Sequence, residues 1–213
     1  MSITLHAYQY SVYAWIVKIV LNEKELPYEY VEINPFARGV PDDYLKLHPF
    51  RRVPVLVHDD FTIYETTAIT GYIAEMFPGL APQPDDARRR ARAAQIVAVI
   101  DAYGYWPMVR QVFSHRVFAP RLGRAVDEAE IQAGGKASRR TLAALEELAA
   151  DDLFLTGPDL TLADLHLAPM MSYSHAAPEG RMVLRDHPKL PAWWQMIRHR
   201  ESFIVTNPGV PDI

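Results

Sequence analysis

The sequence predicts a small α/β domain of βαβαββα order followed by an all-helical domain. Three observations predict it. Short alternating apolar runs and helical stripes take turns over residues 1–79. Pro78, Pro82 and Pro84 then punctuate a stretch, with Gly79 among them, through which no helix continues. Beyond it the strand signals fade and apolar positions recur at helical spacing. The boundaries drawn are an α/β domain at 1–79, a linker at 80–85 and a helical domain at 86–213.

Ile3, Leu5 and Ala7 alternate with polar residues as in a short strand. From Tyr13 to Lys24 the stripe Ile16, Ile19, Val20 reads as a helix. Tyr28 to Ile33 gives a second strand, closed by Asn34-Pro35, and Asp42 to Leu47 a short helix. Val53-Pro54-Val55-Leu56-Val57 is a buried strand, His58-Asp59-Asp60 a hairpin turn and Phe61 to Tyr64 its partner. Helical spacing returns over Glu65 to Phe77 through Ile69, Tyr72 and Ile73. Past the linker, Ile96, Val97, Ile100, Tyr103 and Met108 mark a helix that Pro107 should kink or end. Leu142, Leu145 and Leu148 mark another, its start weakened by about 1 kcal/mol for each of Gly134 and Gly135. Two more helices follow, after Thr161 and after Pro188.

Composition excludes several function classes. The 213 residues are 49% hydrophobic and 23% charged, as in globular proteins. A formal net charge of -4 offers no general attraction for nucleic acid. No apolar run is long enough to cross a bilayer and the N-terminus carries no secretory pattern, so the expected compartment is the cytoplasm. There is no cysteine, which removes disulfides, thiolate metal sites and cysteine nucleophiles. Any thiol chemistry must use a thiol that arrives with a ligand. No Gly-rich phosphate loop, HExxH motif or nucleophile elbow is present, and no metal is expected.

Four features carry chemistry or folding information. Val53-Pro54 heads an apolar strand, where proline is disfavoured. A cis bond would turn the Val53 backbone outward to pair with an extended peptide, and a trans proline would simply open an edge strand. Glu65-Thr66 stands at a helix start, whose free N–H groups suit a carboxylate, with Glu65 placed for an ammonium. The alternative is a plain cap. Ser11, between the first strand and helix, could donate to a bound thiolate or serve only as an N-cap. Leu160-Thr161-(x)2-Asp164-Leu165 reads as a capping box with a hydrophobic staple.

In this order the motifs resemble the glutathione transferase family. Ser11 after the first strand, Pro49-(x)3-Val53-Pro54-Val55-Leu56 and Tyr64-Glu65-Thr66 at a helix start are similar to its N-terminal, thioredoxin-like domain. The capping box and the ending His187-Pro188-Lys189-Leu190-Pro191-Ala192-Trp193-Trp194 are similar to its C-terminal helical domain. The resemblance implies reduced glutathione as co-substrate, with Val53 pairing its cysteinyl backbone beside Pro54. It implies that Glu65 and Thr66 hold the γ-glutamyl head, that Arg52 meets the glycyl carboxylate and that Ser11 holds the sulfur as thiolate. The thiolate would attack a small hydrophobic electrophile in a pocket drawn from Tyr10, Tyr103, Trp106, Met108 and Phe113. Tyr8, Tyr10 and Tyr13 crowd the same loop, and spacing sets Ser11 ahead of Tyr8. His48 and Arg51 stand where the family often has Asn and Gly. A homodimer is implied, and the alternatives are a binding module without turnover or a glutathione-dependent isomerase or dehalogenase.

Overall fold

The computed structural model describes residues 2–37, 39–79, 84 and 86–210. The linker expected at 80–85 therefore lies outside the described residues except for Pro84.

Alternation in the first segment produces β1 (Ile3–Ala7), which buries Ile3, Leu5 and Ala7 on one face. Ser11 caps α1 (Val12–Glu23), and β2 (Glu29–Glu32) and α2 (Asp42–Leu47) follow. Next come β3 (Val55–His58), a turn at Asp59 and Asp60, β4 (Phe61–Tyr64) and α3 (Thr66–Met76). The sheet runs β2-β1-β3-β4. Strand β1 pairs parallel with β2, Leu5 opposite Tyr30, and antiparallel with β3, Leu5 opposite Leu56. The βαβ half supplies the parallel pair β1–β2, the hairpin the antiparallel pair β3–β4, and the antiparallel β1–β3 pairing joins the two into one mixed sheet.

The second half is helical. Helix α4 (Ala87–Val99) runs on without a break into a π-helical segment (Ile100–Phe118) and α5 (Ala119–Arg121). Of the two outcomes expected at Pro107, a kink or an end, the end does not occur. The wider winding accommodates a ring that would crowd an α-helical turn, and hydrogen bonding shifts by one residue, as where the Ala119 N–H donates to Ser114 O. Helix α6 (Glu128–Leu148) carries Gly134 and Gly135 in its interior, six residues past its start. A Cβ on Gly134 would lie 2.6 Å from Gln111 Cβ and 3.0 Å from the Pro107 carbonyl oxygen. The glycine is what allows α6 to approach the π-helical segment so closely.

Helices α7 (Leu162–Ala176), α8 (Pro178–Arg185), α9 (Leu190–Ile197) and α10 (Glu201–Thr206) complete the fold. Asp164 closes the expected capping box, taking the Thr161 N–H at 2.9 Å. Its other oxygen accepts from the Leu155 N–H at 2.8 Å and from Trp193 Nε1 at 2.9 Å. Burial pushes its carboxyl above the ordinary Asp value against those hydrogen bonds.

One apolar core runs through both halves, from Leu5, Trp15 and Ile69 to Met108, Leu142 and Leu165. Its seam is α1, whose Trp15 ring lies 5.6 Å from Tyr173 and 4.9 Å from Phe203. Trp15 Nε1 donates to Thr206 Oγ1 at 3.0 Å. Arg200 clasps the buried Glu23 through two contacts of 2.8 Å. Among the described residues no helix is long and apolar enough to cross a membrane.

Candidate active site

The β1–α1 connection delivers Ser11 to a cleft between the two halves. Ser11 has extended backbone and its Oγ accepts the Ala14 N–H at 3.2 Å, the N-cap contact expected of a serine there. That bond uses the oxygen as acceptor, so the hydroxyl proton stays available for another partner. The cleft holds about 440 Å³. Its floor takes Ser11, Arg52 and Val53 from the first domain, and Tyr105, Trp106 and Phe113 face them from the π-helical segment.

The Val53-Pro54 bond is cis, which decides between the two readings of that pair. Strand β3 begins one residue later, at Val55, so Val53 stays outside the ladder and lines the cleft. Glu65 precedes α3 with φ 70°, in the left-handed region that a side chain rarely adopts. Thr66 is the first residue of that helix and is buried, whereas Glu65 is exposed. Arg51 is also left-handed, with φ 54°.

Of the pocket residues expected from sequence, Tyr10, Trp106 and Phe113 line the cleft and two do not. Tyr103 is 66% exposed and away from the cleft. Met108 is fully buried in the core, its sulfur beside Gly104. Helical phase explains both. The face carrying Trp106, Arg110 and Phe113 looks into the cleft, and Tyr103 and Met108 leave the segment in other directions.

Behind Tyr13, outside the lining of the cleft, lies a polar cluster for which the sequence carries no separable signal. Asp101 accepts from His166 Nε2 at 2.8 Å and from Thr67 Oγ1 at 3.3 Å, and from the hydroxyl of Tyr13. Burial works to raise the Asp101 carboxyl, but the donors from His166, Tyr13 and Thr67 outweigh it and hold the group below its ordinary value. Tyr13 is pushed far up by burial and by that carboxylate, so its hydroxyl is neutral and already committed. The hydroxyl of Tyr173 is likewise spent, on the carbonyl of Tyr10 at 3.2 Å. Tyr8 is also pushed up, by burial and then by Glu32. Among the described residues no group of three or more histidines and acids gathers as metal ligands.

Comparison with known proteins fits this geometry. Residues 5–82 match the family model described as glutathione S-transferase, N-terminal domain, and residues 105–201 the one described as its C-terminal domain. Glutathione S-transferase F10 of Arabidopsis thaliana is 30% identical over 87% of this chain and 87% of its own length. The chain belongs to the glutathione S-transferase family.

Glutathione S-transferase F13 of the same plant is 28% identical over 99% of this chain and 97% of its own. Among solved structures, glutathione S-transferase III in apo form superposes with a TM-score of 0.84 at 27% identity, covering 99% of this chain and 98% of that one. Glutathione transferase F7 from Populus trichocarpa gives 0.84 at 28% identity over 96% and 97%. Across the cleft, Ser11, Arg52 and Val53 face the aromatic side of the π-helical segment, whereas Pro54, Glu65 and Thr66 are not among the residues that line it.

Proposed function

We propose that this transferase binds reduced glutathione along Arg52, Val53, Pro54, Glu65 and Thr66, and that Ser11 holds its sulfur as the thiolate. The observation that carries the reading is Ser11 in the interdomain cleft, its acceptor role already used by the Ala14 N–H and its proton free. Lowering a thiol pKa by about two units requires roughly 2.7 kcal/mol of preference for the anion. One charge-assisted hydrogen bond together with the N-terminus of α1 is of that size.

The left-handed Glu65 supports the binding half of the reading. Such backbone costs about 1–3 kcal/mol and collects at functional positions. Here it sets a carboxylate next to the first free N–H groups of α3, so an ammonium and a carboxylate on one carbon find complementary partners. The thiolate then forms a bond to the electrophilic carbon of a small apolar substrate and expels its leaving group, or adds to a double bond. The pocket for that substrate is Tyr10, Trp106 and Phe113, with Tyr105 and Phe118 beside them.

The reading includes a cytoplasmic homodimer. A groove of about 260 Å³ between α3 and α4, lined by Ala94 and Ala98 together with Thr67, Thr70 and Asp101, is the place proposed for a second copy, and sedimentation velocity tests it.

Retention on glutathione-agarose, followed by titration of the thiolate absorbance of bound glutathione, tests the reading. Retention with a lowered thiol pKa is expected. Retention with an unshifted thiol would leave a binding module without turnover, and no retention would remove glutathione altogether.

A further inference from the structure

Among the described residues, those lining the cleft include three arginines, Arg51, Arg52 and Arg110, and no aspartate or glutamate. The chain as a whole has a formal net charge of -4, so the cleft is opposite in sign to the molecule around it. Arg51 and Arg52 lie on the first domain, on the side assigned to glutathione. Arg110 comes from the π-helical segment, among Tyr105, Trp106 and Phe113, on the side assigned to the electrophile. Among the described residues no carboxylate pairs with it. Its guanidinium stands over the ring of Phe36, 5.9 Å from the centroid, a contact that leaves its N–H donors unspent.

The walls around that cation are aromatic. Tyr13 and Tyr105 meet at 4.9 Å, Tyr10 and Phe118 edge to face at 5.6 Å, and Phe113 stacks on Tyr173 at 4.1 Å. Flat apolar walls with one half-buried, unneutralised guanidinium suit a planar ring bearing a carboxylate. A neutral ring would gain the walls and leave the cation unanswered.

We infer that Arg110 selects aromatic electrophiles carrying a carboxylate, making it a specificity-determining residue of the second-substrate pocket. The inference rests on the proposed function for the placing of glutathione. In the reaction the thiolate sulfur bonds to the ring carbon and the halide leaves with the electron pair of its bond. The carboxylate on Arg110 is untouched and serves to orient the ring.

The test uses two glutathione conjugates of a dinitrophenyl ring, one with a para carboxylate and one with a para carboxamide, titrated calorimetrically into the whole protein. The carboxylate conjugate is expected to bind about tenfold tighter, the size of one charge-assisted hydrogen bond in a partly wet site. Arg110→Gln should bring the two within about twofold by weakening the carboxylate conjugate alone, and Arg110→Lys should keep part of the preference. Equal binding by the unmodified protein would overturn the inference, as would a preference that survives in Arg110→Gln. Weaker binding of glutathione itself in Arg110→Gln would also overturn it, by assigning the arginine to the other substrate. Turnover of para-chloro-dinitrobenzoate is followed separately. Conjugate binding with the expected preference but no turnover would leave Arg110 as the carboxylate-binding residue of the pocket and count instead against the activating role proposed for Ser11.

Discussion

The hydroxyl of Tyr173 donates to the carbonyl of Tyr10 at 3.2 Å, so a helix of the second domain holds the loop that presents Ser11 in the first. Tyr173 is buried and stacked on Phe113, which fixes the donor in place. Tyr173→Phe keeps the ring and removes the tether. The expected outcome is a stability loss of about 1 kcal/mol in denaturant titration, with kcat falling more than the KM for glutathione rises.

Ser11→Ala removes two things at once. The α1 cap goes, costing about 1 kcal/mol of stability, and so does the proposed donor to sulfur. Retention on glutathione-agarose should persist while the thiolate titration moves back toward that of free glutathione and kcat drops. Loss of retention at unchanged fold would argue against the activating role.

Thr66→Ala is expected to act in the opposite sense, raising the KM for glutathione before it lowers kcat. Steady-state kinetics with glutathione as the varied substrate separates the two variants.

How much of this could be read in the chain differs from element to element. The βαβαββα order and the Thr161–Asp164 cap were legible because alternation, proline and capping chemistry are local signals. Whether Pro107 ends the helix was not, because its surroundings include the close approach of α6 at Gly134, a contact between distant positions. Trp106 and Phe113 could be named as pocket residues by their type, but Tyr103 and Met108 show that type does not give helical phase in a π-helical segment. Asp101, Thr67 and His166 come from three separate helical stretches, and only the packing of α3 and α7 against the segment that begins at Ile100 brings them together.

The two central glycines of α6 should respond in opposite directions. Gly134→Ala would force its Cβ against Gln111 Cβ and the Pro107 carbonyl oxygen, so a loss of about 1–3 kcal/mol is expected. Gly135→Ala meets nothing within 4 Å and should stabilise the helix by up to about 1 kcal/mol. Paired thermal melts of the two variants read the difference.

Asp101 gives a pH-dependent prediction. Its folded carboxyl is held below the ordinary value of about 3.9, so its contribution is fully present above that value and is lost as pH falls through the lowered one. Asp101→Asn should therefore be less stable than the unmodified protein at neutral pH, with the gap closing in strong acid. Urea titrations across that range measure it, and a gap independent of pH would contradict the assignment.

The tryptophan seam along α1 has a consequence for recombination. Trp15 is gripped by Tyr173, Phe203 and Thr206, and Glu23 by Arg200, so the outward face of α1 is written jointly by residues nearly two hundred positions apart. A chimera cut at the linker would inherit a new aromatic pocket together with a mismatched seam. Exchanging substrate range between relatives at this depth of divergence therefore requires transplanting the α1 face with the helices that cover it.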